Sequence, residues 1–439
     1  MNTLDLSHTI EHGMITYRGL PARIGFRFLF SFLLLTIFEP FGFFGQITGL
    51  GRIGGPWESL VKWVGREGFG VNITVMPAGS GDTTFNYVEL ACWVLIAAMV
   101  TLAWSLLDRK RTGYDELHGW LRSAVRAYLG LAMLAYGINK LVPIQFGSLR
   151  LAEMLQPIGE QSPMGLLWRF MAASPTYTAF TGFAEVLCAY LLFFRRTAMA
   201  GALLCTGVMA HVVALNFCYD VPVKLFSSRL LLMSLFLLGP DVKRLWSFFI
   251  LHRPVEARSL VPRFKTPAAT ATALVTKCVL LLLFTAMAAL NGLPIVLNRS
   301  ATVPMHGIWE VSEFKREGKV IPPLTTDRQR WSHLVMEANQ FPGSPARSVA
   351  VIVPMMETAK SRWMQCAVDT KKFMITLTSF DEKGAPASLS YLQPEPERFE
   401  LSGSFDGKPI EVKLQRISES EFPLLSRGFH WINEYPFSR

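Results

Sequence analysis

Long apolar runs fill the first two-thirds of the chain, and short β-type segments fill the last third. Seven runs, at about 22–44, 87–107, 121–145, 175–194, 197–218, 224–239 and 274–297, approach the roughly 20 apolar residues that a membrane-spanning helix needs. Between the first two, the segment 56–70 places Trp57, Leu60, Val61 and Val64 on one helical face, as an interfacial helix does. Asp82 follows in a glycine-rich turn, where Gly79 and Gly81 offer either a plain turn or an anion-binding nest. Two short amphipathic runs lie between residues 147 and 174, and a further amphipathic helix is expected after Pro240, with Leu245, Phe248 and Phe249 in the membrane.

Beyond Asn298 about eight short β-type segments are separated by turn signals such as REGK, DEKG and FDGK. Eight such strands close into a small antiparallel barrel or stack as a sandwich. The expected fold is therefore an all-α membrane bundle of seven helices followed by an antiparallel β-barrel. Its parts are an amino-terminal segment 1–21, a transmembrane domain 22–300 with a core at about 121–240, and a β-rich domain 301–439.

Charge orients the chain. From Val303 onward Lys/Arg and Asp/Glu balance at 17 each, so the whole net excess of +10 precedes it. That distribution points to membrane topology and away from a nucleic-acid surface. The basic residues cluster as Arg18, Arg23 and Arg27; Arg109, Lys110 and Arg111; Arg195 and Arg196; and Lys243, Arg244, Arg253, Arg258, Arg263 and Lys265. With seven spans all four clusters fall on one face, which the positive-inside rule makes cytoplasmic. The amino terminus is then cytoplasmic and the β domain extracytoplasmic, in the cytoplasmic (inner) membrane. The apolar start of the chain is expected to stay as an anchor.

Ionisable residues inside spans are costly, so each is a candidate site residue. The third run carries Arg126, Tyr136, Asn139 and Lys140, the fourth Glu185, the fifth His211 and Asn216, and the sixth Lys224 and Arg229. Tyr219-Asp220-Val221-Pro222 forms the hinge between the fifth and sixth. By depth, Asn139, Lys140, His211, Asn216, Tyr219, Asp220, Lys224 and Arg229 line a polar pocket open to the outer side. Glu185 lies deeper, neutral or paired with Arg126 or Lys140. Plainer roles exist for each: Asp220 with Lys224 as a loop clamp, Lys140 and Arg229 snorkelling to the interface, His211 as a satisfied bundle histidine. Six cysteines without a CxxC disfavour a dithiol site, and His211 alone within a span disfavours a bis-histidine haem.

The runs AYGINKLVPIQF (135–146), GFAEVLCAYLLFFRR (182–196) and NFCYDVPVKLFSSRLLLMSLFLLGPD (216–241) resemble DoxX-family membrane proteins, four-helix bundles with a G-x-x-K helix end and a G-x-x-E helix start. Gly137 to Lys140 and Gly182 to Glu185 match that pattern. The resemblance implies a class that includes the quinone-linked DoxD subunit and, more distantly, the methylamine-utilisation protein MauE and vitamin K epoxide reductase, whose paired cysteines are missing here. Gly307-Ile308-Trp309 resembles the G-x-W opening of the lipocalin-like superfamily. A quinone is the ligand so implied, with Glu185 and His211 exchanging protons and Lys140, Asn139, Asn216, Tyr219, Asp220, Lys224 and Arg229 binding it. The electrons would come from a membrane or periplasmic partner, since no cofactor motif occurs. The other expectation is an anchor for a ligand-binding or assembly β domain. Oligomeric state is not encoded in these patterns.

Overall fold

The computed structural model describes residues 19–39, 54–74, 80–109, 111, 113–255, 266–299, 303–338, 348–356, 360–380 and 386–438. Gly79, the DEKG turn, and Arg18, Lys110, Arg258, Arg263 and Lys265 lie outside them. The helices are α1 (Leu20–Ile37), α2 (Gly54–Phe69), α3 (Thr84–Leu107), α4 (Asp115–Leu141), α5 (Leu151–Met154), α6 (Pro163–Ala173), α7 (Pro175–Phe193), α8 (Ala198–Cys218), α9 (Lys224–Leu238), α10 (Val242–Phe249), α11 (Pro267–Arg299) and α12 (Pro423–Ser426). The chain forms two compact units, one of Met1–Leu141 with Phe180–Ala288, the other of Val142–Ala179 with Ala289–Arg439.

Among the described residues six helical stretches, lying wholly or mostly in the first unit, are long and apolar enough to cross a membrane: α1, α3, α7, α8, Lys224–Phe249 and Pro267–Pro294. The expected third span, α4, is absent from that set. At 27 residues it is about 40 Å long, ample to span. Its polarity comes from Arg122, Arg126, Asn139 and Lys140. The physical reason lies in its position: Leu121, Val125, Leu129, Met133 and Ile138 are all buried. A helix whose flank packs on protein need not be apolar throughout. Arg27 of α1, counted among the topology-setting cations, is buried. Its guanidinium donates to the Tyr114 hydroxyl at 2.8 Å, to Ser105 Oγ at 2.7 Å and to the Asp108 carbonyl at 2.8 Å. The helix expected over 56–70 is α2, with Trp57, Val61 and Val64 packed on Phe85, Val88 and Cys92, while Leu60 is exposed.

Among its described residues the second unit has nine strands: β1 (Gly307–Arg316), β2 (Lys319–Val320), β3 (Trp331–Ala338), β4 (Ser348–Pro354), β5 (Arg362–Asp369), β6 (Met374–Ser379), β7 (Ala387–Glu395), β8 (Arg398–Phe405) and β9 (Lys408–Ile417). The two-residue β2 pairs antiparallel with the end of β1 alone, and β1 and β3 to β9 pair antiparallel in chain order. β9 then pairs with β1, from Ile308 opposite Ile417 to Arg316 opposite Ile410. The sheet is thus a closed eight-stranded barrel, not a sandwich. Two expected turns take left-handed backbone, at Glu317-Gly318 and Asp406-Gly407, each closing a two-residue hairpin loop.

Side chains fill the barrel, with Trp309, Phe314, Trp331, Phe399 and Phe405 among the largest. Beside that core a pocket of about 390 Å³ is lined by His306, Tyr391, Gln393 and Arg416. Gly307, at a φ of +142°, explains the G-x-W opening: a Cβ there would stand 3.3 Å from Arg416 Nε. The missing side chain leaves room for the Arg416 guanidinium, 5.8 Å from the centre of the Trp309 ring.

On the outside of the barrel, Ile308, Val335 and Val351 form a buried patch with Leu151, covered by Leu155, Phe422 and Leu425. At its edge Glu337, 4% exposed, accepts the Leu151 N–H at 2.9 Å. Burial pushes its carboxyl up to about 7 from the ordinary 4.5, although the Leu151 N–H and nearby Arg150 pull the other way. A raised carboxyl favours the folded state while it is protonated, fully below pH 4.5. That contribution disappears as pH rises through about 7, and its size is about 3 kcal/mol at most. Thermal melts should therefore show the wild-type protein losing stability between pH 5 and 8 relative to Glu337→Gln. Half-buried His333, held below its usual range by burial, works in the opposite sense in both proteins and cancels. Parallel pH profiles would rule out Glu337 as the source.

Buried charges and an aromatic groove in the helical unit

Two helices meet through their glycines. A Cβ on Gly137 of α4 would stand 2.8 Å from the Gly182 carbonyl oxygen of α7, and one on Gly182 would stand 2.7 Å from that of Gly137. Real side chains do not tolerate such distances, so only glycine at both positions allows this approach. One turn on from each glycine lie Lys140 and Glu185, and the approach joins them in a buried ion pair. Of the two partners considered for Glu185, the structure places Lys140 there. The second carboxylate oxygen, Oε2, is buried without a hydrogen-bond partner. Gly182→Val should separate the helices and cost at least about 1–3 kcal/mol. The backbone clash accounts for part of that cost in any background, and separation of the ion pair adds to it, so in a Lys140→Leu/Glu185→Leu background the penalty should shrink without vanishing; an unchanged penalty in melts would refute the link to the pair.

A second cluster sits where α1 ends and α3 and α9 begin. Arg229 Nη1 is 2.6 Å from Glu39 Oε2. The same guanidinium lies 5.0 Å from the centre of the Trp93 ring and 5.7 Å from that of Phe226. Glu89, 4% exposed, accepts the Trp57 indole N–H at 2.7 Å. Trp57 and Trp93 also line an open groove of about 490 Å³, together with Phe30, Phe38 and Trp104. An apolar, aromatic-walled trough thus borders a site holding two carboxylates and one guanidinium.

The α8–α9 hinge is tied down from a distance. Asp82, in the turn before α3, accepts the backbone N–H groups of Lys224 at 2.7 Å and Leu225 at 2.9 Å, capping α9 across the fold. Asp220 pairs with Lys224 at 2.7 Å as a loop clamp, and buried Asn216 donates to Ser227 Oγ at 3.0 Å. Tyr219 is the half-buried C-cap of α8, and Asn139 is half-buried on α4. His211 is exposed on α8. The structure therefore distributes the sequence candidates over separate contacts: Lys140 with Glu185, Asp220 with Lys224, Asn216 with Ser227, and Arg229 with Glu39.

Sequence reasoning missed Glu39, Glu89 and Trp93, and read Trp57 only as part of a helix face. Glu89 was findable, because it lies in an apolar run as Glu185 does. The fold also brings together Cys188 of α7 and Cys205 of α8, whose buried thiols hydrogen-bond to each other despite their separation along the chain. Among the described residues no three His, Cys, Asp or Glu side chains are grouped to hold a metal ion.

No family profile matches the chain, and no solved structure matches it. Over 155 residues it is 32% identical to the uncharacterised protein YwoB of Bacillus subtilis (strain 168). That alignment takes in 97% of YwoB and 33% of this chain, so the likeness concerns one third of the protein. Identity at this level over nearly the whole of the shorter protein places this chain in the family of YwoB.

Proposed function

We propose that this is a DoxX-like multi-pass protein of the cytoplasmic membrane whose helical unit binds a quinone-like lipophilic ligand and works with a redox partner. The observation that carries this reading is the groove between α1 and α3, whose Trp57 and Trp93 walls are also the contacts of Glu89 and Arg229. A flat ring stacks on such walls, and its oxygens meet hydrogen-bonding groups at the polar end. Lys140 and Arg229 are engaged by carboxylates, so a ligand oxygen is met by Glu89 in its protonated form, which can donate, or by the Trp57 indole N–H once it is released from Glu89; Glu185, with its spare oxygen, is the second proton-exchanging group. In this reading α4 is the seventh span, the amino terminus is cytoplasmic and the barrel extracytoplasmic, as the basic clusters require. His211 then faces lipid or a partner.

The test is extraction and mass spectrometry of small molecules retained by the native protein and by Trp93→Ala. A quinone or other ring-bearing lipid kept by the first and lost by the second supports the site. Equal retention, or none in either, sinks it. A second reading, an anchor for the β domain, is favoured by how fully the bundle charges pair internally: Lys140 with Glu185, Arg229 with Glu39, Lys224 with Asp220. It calls for periplasmic partners that cross-link to the barrel and for no retained ligand.

A further inference from the structure

The chain after α12 is folded but uncovered. Arg427 is its hub, donating to Asn433 Oδ1 at 2.6 Å and lying 4.0 Å from the centre of the Phe437 ring. Around it Trp431 is 91% exposed, Tyr435 84%, Phe429 77% and Ile432 75%. Singly exposed apolar residues are ordinary, but four this exposed within seven positions form a patch that needs an occupant. The barrel does not cover it.

The tail's root identifies the occupant. Phe422 and Leu425 pack in the outer patch with Leu151 and Leu155. Those two belong to the loop from α4 to α7, and only Ser174 separates α6 in that loop from α7, a candidate span. At that junction Phe170 and Tyr177, both exposed, meet edge to face at 5.6 Å. Aromatic side chains at the end of a span mark the headgroup level of a bilayer. The same unit also contains the last turns of α11, from Ala289. The tail thus grows from a surface built on membrane-entering chain. Its composition of Trp, Tyr and Phe with Arg427 and Arg439 against a single Glu434 suits an interface bearing anionic headgroups.

We propose that the tail from Arg427 onward lies in the bilayer interface, with Trp431 and Tyr435 at headgroup depth, as a second membrane attachment for the barrel. This stands independently of any ligand in the helical unit. The experiment uses the full chain in phosphatidylcholine–phosphatidylglycerol vesicles, comparing wild type with Trp431→Phe. The difference emission isolates one tryptophan, and so exposed an indole can be replaced without disturbing packing; matching melts would check that. The expected result is quenching of this emission by lipids brominated near the headgroup end of the chains, weaker quenching by deep-brominated lipids, and little by iodide. Quenching by iodide alone would mean a tail free in water and would overturn the proposal. Protection from both quenchers would overturn it too, by showing that protein, a second copy or a partner, covers the tail.

Discussion

Lys140→Leu is expected to destabilise the helical unit by about 3–5 kcal/mol, because it leaves Glu185 buried opposite nothing. Glu185→Leu should cost a similar amount by stranding the ammonium. The double variant, Lys140→Leu/Glu185→Leu, should recover most of the loss, since an apolar pair of like volume carries no desolvation penalty. All three are compared by thermal unfolding in one detergent. Strong coupling in that double-mutant cycle is the signature of a direct pair. If the two single losses simply add, the pair is not a unit and the glycine contact between α4 and α7 serves packing alone.

Arg229→Leu should have an effect of the same size, again about 3–5 kcal/mol, for a different reason. It removes the cation from Glu39 and strips Trp93 of the guanidinium stacked on it. Arg229→Lys keeps the charge but loses the planar fork, so it should recover only part of the stability. Adding Glu39→Gln to Arg229→Leu should restore more than the lysine does, because it removes the stranded charge itself. A lysine variant as stable as wild type would show that charge alone matters here and that stacking on Trp93 contributes nothing.

The spans were legible because a bilayer imposes length and apolarity on any helix that faces lipid. That rule finds α1, α3 and α7 to α9 and is weakest at α4, whose polar side chains are sheltered by neighbours. The β-strands were legible from short β-type runs that Glu317-Gly318 and Asp406-Gly407 punctuate; β8 and β9 alternate between a filled interior and the outside, while β3 and β4 are buried on both faces and show no such alternation. Rotation of a helix about its own axis was not legible. α8 is apolar nearly all round, so its pattern did not reveal that Asn216 turns inward while His211 turns out. Nor does the local pattern around Asp82 announce that it caps a helix beginning at Lys224. The pairing of Lys140 with Glu185 was half legible, as one of two partners weighed beside a neutral carboxyl; that Gly137 and Gly182 bring the two helices together to make it was not legible.

The seam of the barrel has a consequence for how the protein is made. β1 pairs with β3 on one side and with β9 on the other, so the first strand synthesised waits for the last. Until the ribosome has delivered Ile417, β1 and β8 are open edges, and open edges recruit other strands. Every other pairing joins neighbours along the chain and forms quickly, whereas this one closes a loop of about a hundred residues. Translation that stalls before β9 should therefore yield a nearly complete but aggregation-prone domain, and a protease that senses unpaired strands would have one place to look.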